Sequence, residues 1–497
     1  MTVARAGGAA LGRNILFYGL TAAVQRAASF ILLPVYTRYL SPADYGVLQL
    51  LQISLDVVSI ALTAGTTAGV MRFYFKTDDE RERRAIFATA LGLLLAFNAL
   101  AAIALFGAEG WIARAVIGRP EEAPLVRLLA LGFLLEPAVA VPLLLMQARE
   151  RARLFSFTSI CRLALQIGLN LGFVVALGWA VRGVLLSTAL TNALVGGLAT
   201  LWLLRQTGLR TSRTAARALL AFGLPYRATQ AGAFVLTFAD RYFLKVSRGL
   251  DEVGVYGLAY QFGFLLIMAS SMPYMQAWAP QRFAAARLPA AERDAALDPG
   301  FRHYCLAVVT VGLGIALLAR PALAVMSGPG FQAAAGLVPI IVVAYVLQAL
   351  TDAVELGIQL SERTRYATYA TGLAVVVVVI LYAVWIPRLG GLGAALATLV
   401  AFLVRFVACY AWSQRLCPIH YRWGPVLRLA GFALAAFAIG SLGRGLGLTG
   451  QVACAAAAFG GYAMLVWWGG VLADEERRAT RDWVRSRALA GTVADRP

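Results

Sequence analysis

Ionisable and polar side chains within long apolar segments are the most informative residues of this sequence. Arg26 falls near the middle of the first apolar segment. The second segment carries five polar residues at spacings of 3, 4, 3 and 4, namely Gln49, Gln52, Asp56, Ser59 and Thr63. Residues three and four apart share one face of a helix. An arginine at bilayer depth costs at least about 2.5–3.5 kcal/mol, so Arg26 should face a bundle interior or a wet cavity. These two segments therefore predict a polar path through a membrane.

The second half of the chain contains a similar face. Arg227 shares it with residues at the same spacings, namely Gln230, Phe234, Thr237 and Arg241. Guanidinium groups bind phosphate oxygens through two parallel hydrogen bonds, so Arg26 and Arg227 facing one cavity would form an anion site. Gln52, Asp56 and Gln230 would line the same cavity. The alternative is that Arg26 pairs with Asp56 as a buried link between helices.

Acidic residues in the apolar segments are candidates for coupling transport to an ion, either H⁺ or Na⁺. The candidates are Asp56, Glu136, Asp352 and Glu355. Structural pairing is the alternative for the last three, and pairing with Arg26 is the alternative for Asp56. Asp240 and Arg241 fall near the end of their segment and are interpreted as interfacial anchors.

The composition is that of a polytopic membrane protein. Hydrophobic residues make up 60% of the chain, charged residues only 14%, and the mean hydropathy is +0.73. Soluble domains are about 45–50% apolar. The net charge of +19 comes from arginines in short loops, and it is explained by membrane topology or by attraction to acidic lipids rather than by nucleic acid.

Hydropathy predicts fourteen transmembrane helices, because each such segment reaches about 20 apolar residues. The predicted segments are Asn14–Thr37, Val47–Met71, Ala85–Gly107, Leu125–Leu145, Phe155–Leu177, Val181–Leu204, Ala218–Leu244, Val253–Ala279, Tyr304–Met326, Ala333–Ile358, Tyr366–Ile386, Leu392–Trp412, Pro425–Leu446 and Val452–Leu472. Loops on one side are rich in arginine, and this set includes Arg72 and Arg282. The poorer set includes Arg320 and Arg444. The basic side is predicted to be cytoplasmic, with both termini there, in a bacterial inner membrane.

An internal repeat predicts the domain organisation. Gln147 to Arg153 (QARERAR) resembles Gln359 to Arg365 (QLSERTR), and a Tyr-Gly pair follows an Arg-Tyr pair in both halves. The offsets lie between 203 and 212 residues. Two six-helix lobes related by a pseudo-twofold axis are expected, with substrate between them. We predict an N-terminal lobe over residues 1–208, a second lobe over 209–418, two added helices over 419–472 and a cytoplasmic tail over 473–497.

The first helical hairpin also resembles a known family. Its turn, Pro34 to Gly46 (PVYTRYLSPADYG), and the QxxERxR loops are similar to those of O-antigen, Wzx-type polysaccharide flippases. These belong to the multidrug/oligosaccharidyl-lipid/polysaccharide exporter superfamily. The resemblance implies an all-α membrane protein with two lobes in a V, as in multidrug-and-toxin exporters. It further implies a cationic cavity, for which Arg26 and Arg227 are the matching residues, and Arg72 could recruit the headgroup at the cytoplasmic mouth.

The resemblance implies a flippase rather than an enzyme. The cargo would be an oligosaccharide on a polyprenyl pyrophosphate, moved by alternating access and coupled to an ion. Membrane lipids and other polysaccharide-assembly membrane proteins are the expected partners, with no cofactor, metal or catalytic residue. Two alternatives stay open, namely a multidrug exporter of the same fold and a polytopic glycan polymerase or glycosyltransferase. Arginines in the cavity disfavour an exporter of cations, and we find no paired-aspartate site in an outer loop for an enzyme.

Overall fold

The computed structural model describes residues 21, 32–63, 65–472 and 476–478, with backbone alone for 223–229. These residues form helices and connecting turns, with no strand among them. In chain order the longer helices are α1 Pro42–Thr63, α2 Thr66–Lys76, α3 Glu80–Gly107, α4 Ala123–Leu135, α5 Pro137–Ala148, α6 Ala152–Asn170, α7 Ala180–Thr207, α8 Arg213–Phe238, α9 Asp240–Arg248, α10 Leu250–Leu266, α11 Met272–Ala285, α12 Ala290–Met326, α13 Ala334–Val354, α14 Leu356–Leu360, α15 Arg365–Leu389, α16 Gly391–Leu416, α17 Trp423–Ser441 and α18 Leu448–Trp468.

Twelve helical segments of the described chain are long and apolar enough to cross a membrane. Each corresponds to one predicted segment, so an all-helical, multi-pass membrane fold is confirmed. The first predicted segment lies mostly outside the described residues. The seventh forms α8 and α9 but is not among the twelve. The count of fourteen transmembrane helices therefore stays a prediction.

Helix boundaries follow from local capping chemistry. The hydroxyl oxygen of Ser41 accepts a hydrogen bond from the backbone N–H of Asp44 (3.1 Å), and the Asp44 carboxylate accepts one from the backbone N–H of Ser41 (3.1 Å). Pro42 occupies the first helical position, where an N–H would have no partner. This reciprocal cap fixes the start of α1. Between α4 and α5, Pro137 cannot donate to the preceding turn, and the helix is interrupted at Glu136.

The described chain packs into two compact units. The first extends to Gly257 and also includes Met326–Phe331 and Val379–Ala394. The second comprises Leu258–Val325, Gln332–Val378 and the residues from 395 onwards. The predicted lobes, added helices and tail, with boundaries at residues 208, 418 and 472, stay a prediction.

Candidate functional site

The polar face of α1 is partly exposed within the first unit, and its predicted role as a cavity wall stays a prediction. Gln52 is exposed and Asp56 is half-buried, whereas Leu50 and Leu51 on the opposite face are fully buried. The amide of Gln52 donates a long hydrogen bond of 3.4 Å to Oδ1 of Asp56. Asp56 forms no salt bridge with any residue that the structure describes. Its carboxylate is thus available to a residue or ligand outside this set.

The two arginines of the predicted anion site cannot be placed in full. Arg26 lies outside the described residues, and only the backbone of Arg227 is described, within α8. Gln230, one helical turn further on, is exposed. The pairing of Arg26 with Asp56 and the shared anion site both stay predictions.

Arg72 lies in the last turns of α2, on an exposed surface of the first unit. Its guanidinium group lies 5.0 Å from the centre of the Phe222 ring on α8. The two helices approach closely at Gly69, where an added Cβ would lie 3.2 Å from side-chain atoms of Leu219 and Phe222. The Phe222 contact orients the guanidinium and leaves its hydrogen-bond donors free of described acidic partners.

Glu136 belongs to a polar cluster of the first unit, which we call the N-half cluster (Glu136, Arg162 and Asn192). Glu136 is exposed at the break between α4 and α5 and interacts electrostatically with Arg162 on α6. Arg162 donates a hydrogen bond of 3.4 Å to Oδ1 of Asn192, whose amide donates to the carbonyl of Gly132 (3.0 Å). Within the described residues, the Glu136 carboxylate is close to a cation but is not fixed by a salt bridge.

Asp352 belongs to a corresponding set in the second unit, which we call the C-half cluster (Gln348, Asp352, Glu355, Arg405 and Arg282). Arg405 donates to Oε1 of Gln348 (2.6 Å), and the amide of Gln348 donates to Oδ1 of Asp352 (3.0 Å). Gln348 therefore links a cation to an acid. Glu355 lies where α13 gives way to α14, close enough to interact electrostatically with Asp352.

Sequence reasoning missed two members of this cluster, Gln348 and Arg282, and placed Arg282 wrongly. The hydropathy pattern assigns it to a cytoplasmic loop, but the structure buries it within α11. Its guanidinium donates to the backbone carbonyl of Asp352 (3.2 Å) and lies 5.7 Å from the centre of the Trp278 ring. The assignment to a loop is wrong because α11 continues through Pro280, past the end of the apolar run. The position of Arg282, one helical turn beyond the end of a predicted segment, was the available signal that the helix continues.

Helices from the two halves of the sequence cross inside the first unit at two glycines. A Cβ added to Gly46 on α1 would collide with the carbonyl oxygen of Leu250 on α10. Conversely, a Cβ added to Gly254 on α10 would collide with the carbonyl oxygen of Pro42. Both Gly46 and Gly254, and Pro42 and Leu250, are separated by 208 residues, so the contact is reciprocal. At this crossing Gly46 faces Gly254, whereas the repeat in the sequence aligns Gly46 with Gly257, three residues further on.

Asp240 and Arg241 are buried, not interfacial, and their interpretation as anchors is wrong. The Arg241 guanidinium donates to Oδ1 of Asp240 (2.7 Å), and the Tyr256 hydroxyl donates to Oδ2 (2.6 Å). The residues are 1% and 0% exposed. The Asp240 carboxylate also accepts from the backbone N–H of Arg241 (2.9 Å), and these three hydrogen bonds offset part of the cost of burying its charge. No group of three His, Cys, Asp or Glu side chains in the described chain is placed to hold a metal ion.

Solved structures of similar fold define the class of protein. The chain is similar to the structure "Lipid II flippase MurJ, inward closed conformation", with a TM-score of 0.71, 10% identity and coverage of 91% of this chain and 99% of that one. It is also similar to an inward-facing multidrug resistance MATE family transporter of the MOP superfamily, with a TM-score of 0.64, 16% identity and coverage of 78% and 94%. A third similar structure is a MOP superfamily transporter from Pyrococcus furiosus Vc1, with a TM-score of 0.56, 15% identity and coverage of 81% of this chain and 95% of that one. The chain therefore has the fold that these solved structures share.

The family follows from the sequence itself. The model of the polysaccharide biosynthesis protein family matches residues 11–286, which is more than half of the chain. The chain belongs to that family, as its first hairpin predicts. A search of curated protein sequences gives no significant match.

Proposed function

We propose that this chain is a flippase that moves an oligosaccharide linked to polyprenyl pyrophosphate from the cytoplasmic to the outer leaflet of a bacterial inner membrane. The observation that carries the proposal is the polar face of α1 in a member of the polysaccharide biosynthesis family. Gln52 is exposed and Asp56 half-buried on a membrane-length helix whose opposite face, with Leu50 and Leu51, is apolar and buried. Such a face is costly against lipid, but it serves a path for sugar hydroxyls, which need hydrogen-bond partners when they leave water.

Each candidate residue has a role in this proposal. Arg26 and Arg227 bind the pyrophosphate, while Gln52 and Gln230 contact the sugars. Arg72, exposed at the end of α2, recruits the headgroup at the cytoplasmic mouth. The polyprenyl chain stays in the bilayer throughout, since burial of its apolar surface in lipid is favourable.

Alternating access is the proposed mechanism. The reciprocal crossing at Gly46 and Gly254 supports it. There the backbones of α1 and α10 are in direct contact, on the side of the membrane predicted to be the outer one. A contact made only by backbone and glycine can close one end of a path without a specific side-chain fit. An H⁺ or Na⁺ gradient drives the cycle through Asp56, Glu136, Asp352 or Glu355, and other polysaccharide-assembly membrane proteins act on either side of it.

The proposal is tested in a strain that lacks this gene and carries a plasmid copy. Arg26→Ala and Arg227→Ala should each lower glycan export by about tenfold or more, because each removes charge-assisted hydrogen bonds to phosphate. Lipid-linked oligosaccharide should then accumulate in the cytoplasmic leaflet, where it is measured by mass spectrometry. Arg210→Ala is the matched control, since Arg210 is exposed in a loop.

Two results would contradict the proposal. Normal export in both variants would exclude the anion site. Unchanged glycan export in the gene-deletion strain, with raised sensitivity to cationic drugs, would identify a multidrug exporter of the same fold instead.

A further inference from the structure

A cavity in the second unit is lined by none of the candidate site residues described above. Its volume is about 100 Å³, and it is bordered by the end of α12, the start of α13 and the turn between α17 and α18. A bound water needs about 10–15 Å³, so the cavity has room for several waters or for one tetrahedral oxyanion. It lies at the end of these helices that the arginine count predicts to face outward.

Two arginines converge on this cavity from distant parts of the sequence. Arg320 comes from α12 and Arg444 from the turn Leu442–Gly445. The cavity lining contains no acidic residue, and neither arginine forms a salt bridge within the described part of the chain. Phe437 lies under Arg444, with 5.8 Å from the guanidinium carbon to the ring centre. Two unneutralised guanidinium groups make the cavity strongly attractive to an anion.

The surrounding helices add to the positive potential. α13 begins at Ala334 and α18 begins at Leu448, and neither start is capped by a side chain. Both helices have 21 residues, and residues of their first turns line the cavity. The N-terminus of a helix carries about half a positive charge, which favours anions.

A hydroxyl group is the second chemical feature expected of the ligand. Gln451 lines the cavity, and its amide nitrogen donates to the carbonyl of Leu446 (3.0 Å). Its amide oxygen is buried and accepts no hydrogen bond from the described residues. An unsatisfied buried acceptor is costly, and a ligand hydroxyl or a water held beside it would remove that cost.

Exposed apolar side chains neighbour the lining residues in sequence. Ile439 precedes Gly440, and Leu442 lies between Ser441 and Gly443; the two side chains are 60% and 82% exposed. These side chains belong to helices long and apolar enough to cross a membrane, or to their ends, so in a bilayer they contact acyl chains. An anionic group bound between Arg320 and Arg444 would thus have hydrocarbon directly beside it.

We propose that this cavity binds the phosphate of an anionic glycerophospholipid with a hydroxylated headgroup, in the leaflet predicted to be the outer one. The two guanidinium groups hold the phosphate, Gln451 accepts from a headgroup hydroxyl, and the acyl chains lie along Ile439 and Leu442. The cavity is too small to enclose a pyrophosphate together with its sugars. This role is independent of the proposed flipping activity.

The experiment uses the full chain in detergent, with bound lipid measured by native mass spectrometry and by the shift in melting temperature. Phosphatidylglycerol should bind and raise the melting temperature, whereas phosphatidylethanolamine should not. The double variant Arg320→Gln/Arg444→Gln should bind phosphatidylglycerol about tenfold more weakly or worse. Gln451→Glu should also weaken binding, because it places a carboxylate in the cavity.

Arg388→Gln is the matched control, since it removes an exposed arginine that does not line the cavity and should leave binding unchanged. Arg320→Lys/Arg444→Lys keeps the charge and should retain part of the affinity, which separates loss of binding from loss of folding. Undiminished lipid binding in the Gln double variant would overturn the proposal. So would equal stabilisation by inorganic phosphate, which would show a soluble-anion site, or preferential binding of polyprenyl pyrophosphate, which would show a substrate site.

Discussion

The N-half and C-half clusters occupy corresponding stretches of the repeat, yet they differ in how their charges are held. Gln147 and Gln359 are 212 residues apart, and the same offset relates Glu136 to Gln348. In the first unit that position is an acid, with no hydrogen bond or salt bridge to fix its carboxylate among the described residues. In the second unit it is an amide that joins Arg405 to Asp352 at 2.6 and 3.0 Å.

The difference indicates a division of roles. An amide does not change its charge near neutral pH, and as both donor and acceptor it satisfies an acid and a base together. The C-half cluster therefore has the properties of a structural link between α13 and α16. The N-half cluster leaves a carboxylate exposed beside Arg162, which is the arrangement that an ion-coupling site needs. Among the predicted coupling residues, this comparison favours Glu136 over Asp352.

The largest expected effect is on stability in the C-half cluster. Arg405→Ala should destabilise the protein by about 1.5–3 kcal/mol, because it removes the charge-assisted hydrogen bond to Gln348 and the favourable field of this cation at Asp352. Arg162→Ala in the N-half cluster should cost about 1 kcal/mol, since its hydrogen bond to Asn192 is long. Thermal melting of the purified variants measures both. Adding Asp352→Asn to Arg405→Ala should restore part of the loss, and equal costs at the two sites would remove the distinction between the clusters.

A smaller effect on stability is expected when Gln348 of the C-half cluster is replaced by glutamate, the residue type at the corresponding position of the N-half cluster. Gln348→Glu should destabilise the protein by about 1–3 kcal/mol at neutral pH, because it sets two carboxylates side by side. One of them must then take up a proton on folding, so the variant should lose stability as pH rises and regain it on acidification. Melting temperatures between pH 5 and 8, compared with the unmodified protein, test this. A pH profile that matches the unmodified protein would show that Asp352 is not adjacent in the way described.

The smallest effect on stability is expected for the opposite exchange. Glu136→Gln should change the free energy of unfolding by less than about 0.5 kcal/mol, because the carboxylate has no fixed partner to lose. Glycan export should nevertheless stop responding to the H⁺ or Na⁺ gradient, measured with ionophores in cells. Asp352→Asn is the matched comparison and should keep that response. If Asp352→Asn abolishes it and Glu136→Gln does not, the assignment of roles is reversed.

Local pattern and long-range packing account for what the sequence could and could not predict. Twelve of the membrane segments were predicted correctly, because hydropathy is a local property. Helical spacing also puts Gln52 and Asp56 on one face of α1, while the cavity they are expected to line stays a prediction. The burial of Arg282 was not predicted. A polar residue just after an apolar segment has the pattern of a loop residue, even where its helix continues into the packed protein. The reciprocal contact of Gly46 with Gly254 depends on a register between helices 208 residues apart, which one sequence does not specify.

The glycine crossing has a consequence for how energy enters the proposed transport cycle. The residues that meet there, Pro42, Gly46, Leu250 and Gly254, have no ionisable side chain. None of these four side chains can take up or release a proton. In the proposed cycle a gradient would therefore act on this contact through neighbouring or more distant charged groups, such as Asp44, which caps α1, or Glu136.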